Sequence, residues 1–231
     1  MVELIRSGIK WHLETGGQLN IALGSVLSLW HDCRESGILP DEGELKDRSR
    51  HCDINKITIN ASAVTLEDAK MSLDFGALAK GYAVEKAAEL ANDLGLESFA
   101  LSCGGNVITK GEKPSGKWEI GIEDPNGGLI TTVEVSNEAV VTSGDYQRFY
   151  IVDGKRYHHI IDPKTLYPAE KCRSVTIICP FSDIADALST SLFCLDRQDG
   201  EKLLENYAAE AMWILEDGEV YKTPGFEDFE K

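Results

Sequence analysis

Residues 71–106 read MSLDFGALAKGYAVEKAAELANDLGLESFALSCGGN. A short apolar run, a glycine-bearing turn, about 16 residues of helical pattern and a second apolar run follow one another, a β-α-β unit. Leu78, Tyr82, Ala83, Lys86 and Leu90 recur near i, i+4 and predict the inward face of the helix, with Gly95 as its stop. Upstream, KITIN (56–60) and AVTLE (63–67) alternate β-branched residues around a small-residue turn and predict a hairpin. Before that, two helices are predicted. The first runs over 2–15 with Val2, Ile5, Ile9, His12 and Leu13 on one face and Gly16-Gly17 as terminator. The second runs over about 23–36, presents Val26, Leu27, Leu29 and Trp30, and stops at Gly37. Residues 41–50 read as a short polar helix or loop.

Downstream, residues 107–162 break into antiparallel strand patterns separated by NGG and DG turns. SVTIICP (174–180) then reads as a buried strand, DIADALSTSLFCL (183–195) and about 198–208 as helices, and AMWILEDGEVYKT (211–223) as a closing hairpin. The order is α+β, helices packed on antiparallel sheets. No linker or repeat interrupts it, so 1–231 reads as a single domain.

The 231 residues carry 23 basic and 39 acidic side chains, a net charge of −16, with 42% hydrophobic residues. That composition describes a globular chain with ample core. A surface this acidic repels phosphate backbones and anionic headgroups, and no basic patch compensates, which argues against nucleic acid and membrane surfaces as partners. No stretch approaches about 18 uninterrupted apolar residues, and the first residues do not read as a signal peptide. Six cysteines without a CxxC pair sit mostly in apolar segments and fit a reducing cytoplasm. His31/Cys33 and His51/Cys52 could be read as zinc ligands, but they lack a second closely spaced pair, which favours the reading without a metal.

Four segments hold small and polar residues where a plain core would hold apolar ones. LDFGALAKG (73–81) leads into a helix N-terminus, where free N–H groups, the helix dipole and Lys80 favour an anion such as phosphate; the alternative is that Asp74 caps the helix and Lys80 is solvated. In SCGGN (102–106), Gly104-Gly105 lets backbone approach a ligand and Asn106 can bond it; the alternative is a tight turn. SGDYQRFY (143–150) and RYHHIIDPKTLYP (156–168) bring Asp145, Arg148, His158, His159 and Asp162 into one hairpin neighbourhood, with at most one of the two histidines facing a shared site. In DIADALSTSLF (183–193), Asp186, Ser189 and Thr190 share a helix face as hard oxygen donors suited to magnesium, unless the hydroxyls bond back to the helix and the acid is a surface one. Together they point to a magnesium-assisted phosphate-ester site and name no substrate.

In combination, D-x-G-x-x-A-K-G-Y-A (74–83), S-G-D-Y (143–146), H-I-I-D-P-x-T (159–165) and A-D-A-L-S-T (185–190), together with TGGQLNIALGSVLSLW (15–30), resemble the FAD:protein FMN transferases, the ApbE family. The resemblance runs in order along essentially the whole chain. It implies a T-fold-like α+β enzyme that binds FAD, uses Mg²⁺ and transfers FMN to a threonine hydroxyl of an acceptor flavoprotein, releasing AMP. Carried over residue by residue, it implies metal ligation by the Ala77 carbonyl, Asp186, Thr190 and Ser189. FAD contacts would come from Gln18, Leu19, Asn20, Asp74, Lys80, Gly105 and Ile160. His159 is the candidate base for the threonine proton, since imidazole titrates near neutrality; a structural histidine is the alternative, with Asp145 and Asp162 as substitutes or orienters.

The chain departs from the family pattern at three points. The usual front segment, whose strands supply a methionine and an aromatic residue to the flavin, is absent, and an export or lipoprotein signal would be lost with it. The family's F-D-P-T is Leu19-Asn20-Ile21-Ala22, and the glycine after D-P-x-T is Leu166. A bulky residue there predicts a different turn, because φ > 0 disfavours it. Three functions remain in view: the transferase, an FAD pyrophosphatase with water as nucleophile, and a catalytically impaired flavin-binding protein. If Asp186 is crowded by other carboxylates, removing it should stabilise the chain.

Overall fold

The computed structural model describes residues 1–231. In chain order it contains α1 (Val2–Glu14), α2 (Gly24–Ser36), α3 (Glu42–Ser49), β1 (Ile57–Asn60), β2 (Ala63–Leu66), α4 (Ala79–Asp93), β3 (Phe99–Cys103) and β4 (Asn106–Lys110). There follow β5 (Trp118–Glu123), β6 (Leu129–Val135), β7 (Ala139–Gly144), β8 (Phe149–Val152), β9 (Lys155–His158), β10 (Cys172–Cys179), α5 (Ser182–Cys194), α6 (Arg197–Leu204), β11 (Glu210–Leu215) and β12 (Val220–Lys222). Every strand pair is antiparallel, as the α+β reading requires. The chain divides into two compact units of two segments each: Met1–Gly76 with Asp145–Ala169, and Ala77–Gly144 with Glu170–Lys231. No helix is long and apolar enough to cross a membrane. All six cysteines are free, five of them buried and Cys103 exposed.

The first unit packs α2 and α3 with the β8–β9 hairpin around Val26, Leu29, Trp30, Cys33, Leu45 and Ile161. Trp30 stacks on Tyr157 and meets Tyr167 edge-on, and its indole N–H donates to the Leu166 carbonyl at 2.8 Å. Leu166 itself has φ of 65°. The left-handed turn therefore persists with leucine in place of glycine, contrary to the sequence expectation. That backbone costs a non-glycine residue about 1 kcal/mol. It is held by Leu166 N–H to the Asp162 carbonyl (2.8 Å), by Asp162 N–H to the Tyr167 carbonyl (2.9 Å) and by packing of the Leu166 side chain on the core cluster.

In the second unit the strands run β12-β11-β10-β7-β4-β3 in one sheet. Helices α4 and α5 cover one face. On the other face, Val140, Ile178 and Met212 pack against Ile122, Val133 and Val135 of the β5–β6 ribbon and Phe226. The structure departs from three further sequence expectations. Residues 71–74 form no strand and make only a parallel bridge from Ser72 to Leu23, so the β-α-β unit lacks its first strand. The inward face of α4 is Gly81, Val84, Ala88 and Ala91, and Leu90 is exposed, because small residues let α4 approach its neighbours closely while the larger ones ride outside. In α1, similarly, Leu4, Ile5, Gly8 and Trp11 face inward and Leu13 is exposed.

Candidate functional site

Helix α4 begins at Ala79, with Leu78 at its N-cap position giving no side-chain cap and with no acid in its first turn. Its anion comes from α5. Gly81 N–H donates to Asp186 Oδ2 at 2.8 Å, and Lys80 Nζ donates to Asp186 Oδ1 at 2.9 Å. Asp186 is only 1% exposed. The anion site read from the sequence as a phosphate cradle thus already receives the chain's own carboxylate. The arrangement is reciprocal: α5 also lacks a side-chain cap, and Ser182 N–H in its first turn donates to Glu85 Oε2 of α4 at 2.7 Å. Burial and the neighbouring Asp183 push the Glu85 carboxyl above its ordinary range, against the Ser182 N–H that lowers it. Glycine at 81 allows this closeness, since a Cβ there would stand 2.4 Å from the Ser182 carbonyl oxygen and 2.5 Å from Asp186 Cβ.

One turn beyond Asp186, the hydroxyls gather. Ser143 Oγ of β7 lies 2.9 Å from Ser189 Oγ and 3.2 Å from Thr190 Oγ1. Ser189 is fully buried and donates back to the Asp186 carbonyl at 3.0 Å, the local bonding weighed as the alternative from sequence. Thr190, half-buried, shares the Asp186 face at i+4. Ala77 stands in the turn leading into α4. Nowhere in the chain do three or more His, Cys, Asp or Glu residues gather as a metal cage. The donors that α5 and β7 bring together are one carboxylate and hydroxyls, hard oxygens of the kind Mg²⁺ accepts. Gly104 and Gly105 form the two-residue β3–β4 turn, with φ of 55° and 89° and Cys103 paired with Asn106. Two positive φ values are what a tight right-twisted hairpin needs, so the tight-turn reading holds. The turn also lies over the Lys80 stem, 3.7 Å from a Cβ built on Gly104.

In the first unit, Gly16 and Gly17 turn the chain out of α1, and Thr15 Oγ1 accepts from Leu19 N–H at 3.0 Å. His12 Nδ1 donates to the Leu19 carbonyl at 3.1 Å. Gln18 and Leu19 are buried. Asn20 Nδ2 donates to the Cys52 carbonyl (3.0 Å) and its Oδ1 accepts from Ala22 N–H (2.9 Å). An aspartate would lose the first bond, which explains the amide where the family has an acid. Asp74 N–H donates to the Ile21 carbonyl, and its carboxylate accepts from Gly76 N–H at 2.8 Å, so Asp74 closes an Asx turn ahead of α4 rather than capping it.

The paired histidines divide their work. His158 is buried, donates from Nε2 to the Ala169 carbonyl at 2.8 Å and accepts at Nδ1 from Ile160 N–H at 3.2 Å, a structural role. His159 is exposed and donates from Nδ1 to the Arg148 carbonyl at 3.3 Å, which leaves Nε2 as the bare nitrogen of the neutral ring. Although the residue as a whole keeps an exposed edge, crowding around its ring, then His158, Arg148 and Arg34, push its imidazole down to about 4, against the Arg148 carbonyl that raises it. Asp145 is buried and paired with Arg156 at 3.1 Å. Asp162 is buried and accepts from Lys164 N–H at 2.8 Å within the turn.

Because the folded-state pKa of His159 lies below its ordinary value of about 6.5, the native chain binds fewer protons than the unfolded one between that value and about 4. The stability it contributes is complete above the upper value and lost as pH falls through the window. His159→Gln is expected to reduce the wild-type decline of Tm over this range. Equal declines in the two proteins would refute the assignment.

Ser143, Gly81 and Glu85 carry the site without having been singled out from sequence. A glycine inside a helical pattern was the available clue to close approach, and a serine on an otherwise apolar strand face was the second.

The family model described as the ApbE family matches residues 1–213. The chain is 36% identical over 246 residues to the FAD:protein FMN transferase of Treponema pallidum, covering 97% of this chain and 68% of that protein. It is 31% identical over 241 residues to the FAD:protein FMN transferase of Haemophilus influenzae, covering 99% and 70%. Among solved structures, the ApbE protein of Thermotoga maritima superposes with a TM-score of 0.91 at 32% identity, covering 99% of this chain and 77% of that one. The flavin transferase ApbE of Vibrio cholerae gives 0.86 at 28%, covering 99% and 76%.

Proposed function

The chain belongs to the ApbE family, and we propose that it is an FAD:protein FMN transferase that moves the FMN part of FAD to a threonine hydroxyl of an acceptor flavoprotein and releases AMP. The observation that carries this reading is the Asp186 cradle: a carboxylate 1% exposed, fixed by the α4 N-terminus and Lys80, with Thr190 one turn on.

In the reaction, the threonine oxygen bonds to the FMN-side phosphorus. The bond from that phosphorus to the bridging oxygen breaks, and the bridging oxygen leaves with AMP. Asp186, Thr190 and the Ala77 carbonyl would hold Mg²⁺, with Ser143, itself bonded to Ser189, meeting the Thr190 hydroxyl from behind. When bound, Mg²⁺ supplies charge neutralisation on the phosphoryl oxygens and the departing AMP. Lys80 contributes a cation to the diphosphate, and Gly105 keeps the neighbouring turn free of side chain. Gln18, Leu19 and Asn20 would contact FAD as a segment, together with Asp74 and the backbone at Ile160. His159 Nε2 would accept the threonine proton. A ring held neutral is available at pH 7, though its low basicity makes it a weak driver of the transfer. Asp145, held by Arg156, is the alternative acceptor.

The test is incubation of the purified protein with FAD, Mg²⁺ and a threonine-bearing acceptor flavoprotein. Mass spectrometry is expected to find FMN on the acceptor and AMP in solution. Neither product forming, beside a relative active under the same conditions, would sink the reading. AMP release at an undiminished rate without acceptor would reassign the chemistry to hydrolysis.

A further inference from the structure

Asn106 opens β4 directly after the Gly104–Gly105 turn and is 1% exposed, yet neither its Oδ1 nor its Nδ2 meets a hydrogen-bond partner in the chain. Native proteins rarely bury both ends of a carboxamide unpaired without a reason. Asparagines that serve the backbone here look different: Asn20 bonds both the Cys52 carbonyl and Ala22 N–H, and Asn137 Oδ1 accepts from Gly111 N–H at 3.0 Å.

The sheet register gives the direction in which Asn106 points. It lies opposite Val141 of β7, and opposite residues of an antiparallel pair share a face. Two residues along β7 on that same face stands Ser143, whose hydroxyl meets Ser189 and Thr190 of α5. Asn106 is therefore a diagonal neighbour of Ser143 and faces the helix layer that carries Asp186. The turn preceding it lies over Lys80, the cation on Asp186.

We propose that Asn106 is a further binding residue of this site, its Oδ1 accepting a hydrogen bond from a water held by a divalent cation at Asp186 and Thr190. The inference rests on the transferase reading. Its chemistry follows from the cation: Mg²⁺ dehydrates reluctantly and keeps several waters, which become strong donors, and a buried neutral acceptor receives one without adding charge beside Asp186.

Thermal melting of the whole chain titrated with MgCl₂, with and without FAD, tests this. Asn106→Leu gives up no hydrogen bond in the metal-free chain, so it is expected to melt at or above the wild-type temperature. It is expected to need roughly 10- to 100-fold more Mg²⁺ for the same stabilisation. Asn106→Asp, which keeps an acceptor oxygen, is expected to restore the Mg²⁺ response. Asn106→Ala carries the test if leucine does not pack. A wild-type Mg²⁺ midpoint in Asn106→Leu or Asn106→Ala would overturn the role of Asn106 and leave the reading of the site intact. Absence of any Mg²⁺ response in the wild type would overturn both.

Discussion

Asp186→Ala is expected to abolish metal-dependent AMP release and to lower the unfolding free energy by about 3 kcal/mol. Asp186 is 1% exposed, its Oδ2 is the acceptor for Gly81 N–H and its Oδ1 is 2.9 Å from the Lys80 ammonium. Truncation leaves a buried donor and a cation without their acceptor, for which about 3–5 kcal/mol is typical. The Lys80 side chain is 40% exposed and can recover water, which brings the loss to the lower end of that range. Sequence alone suggested the opposite sign, on the premise of a crowded carboxylate, but the groups that touch this carboxylate are a cation and an N–H. Urea unfolding beside an AMP-release assay checks both parts. A variant as stable as the wild type would mean that these two contacts do not hold in solution.

Gly81→Ala is expected to destabilise by about 2 kcal/mol although alanine is the better helix former by about 1 kcal/mol. The new methyl would meet the Ser182 carbonyl oxygen at 2.4 Å, Asp186 Cβ at 2.5 Å and Asp183 Cα at 2.9 Å. Two of those atoms are α5 backbone and cannot swing aside, so the helices must separate. Separation loosens the Gly81–Asp186 and Ser182–Glu85 bonds together. The urea midpoint is therefore expected to fall and the Mg²⁺ requirement to rise. An unchanged or raised midpoint would show that α4 and α5 are not packed this closely.

The sequence made legible what is local. The hairpins, the helix-ending glycines and the i, i+4 pair Asp186 and Thr190 are features of short segments, and the family motifs concentrate chemistry within them. What crosses the chain was not legible. Asp186 serves the N-terminus of a helix 105 positions away, and no periodicity marks that partner. Leu90 fits an amphipathic spacing but is exposed, because Gly81, Val84, Ala88 and Ala91 form the contact face and the spacing alone cannot tell a close-packed small-residue face from a large apolar one. Leu166 keeps a backbone its side chain disfavours, since the indole of Trp30 and the Asp162 main chain hold the turn from outside it.

The mutual capping of α4 and α5 has an evolutionary reading. On the proposed function Asp186 would answer to two selections at once, because the carboxylate that would hold a cation also finishes a helix in the folded chain. A descendant that abandoned flavin transfer would still be purged of substitutions at Asp186 and Gly81 by loss of stability. The A-K-G and A-D-A-L-S-T signatures would outlive the activity. Retention of those letters in a divergent relative would thus record the helix pair, and turnover would have to be judged from positions such as Asn106, whose carboxamide bonds nothing in the chain.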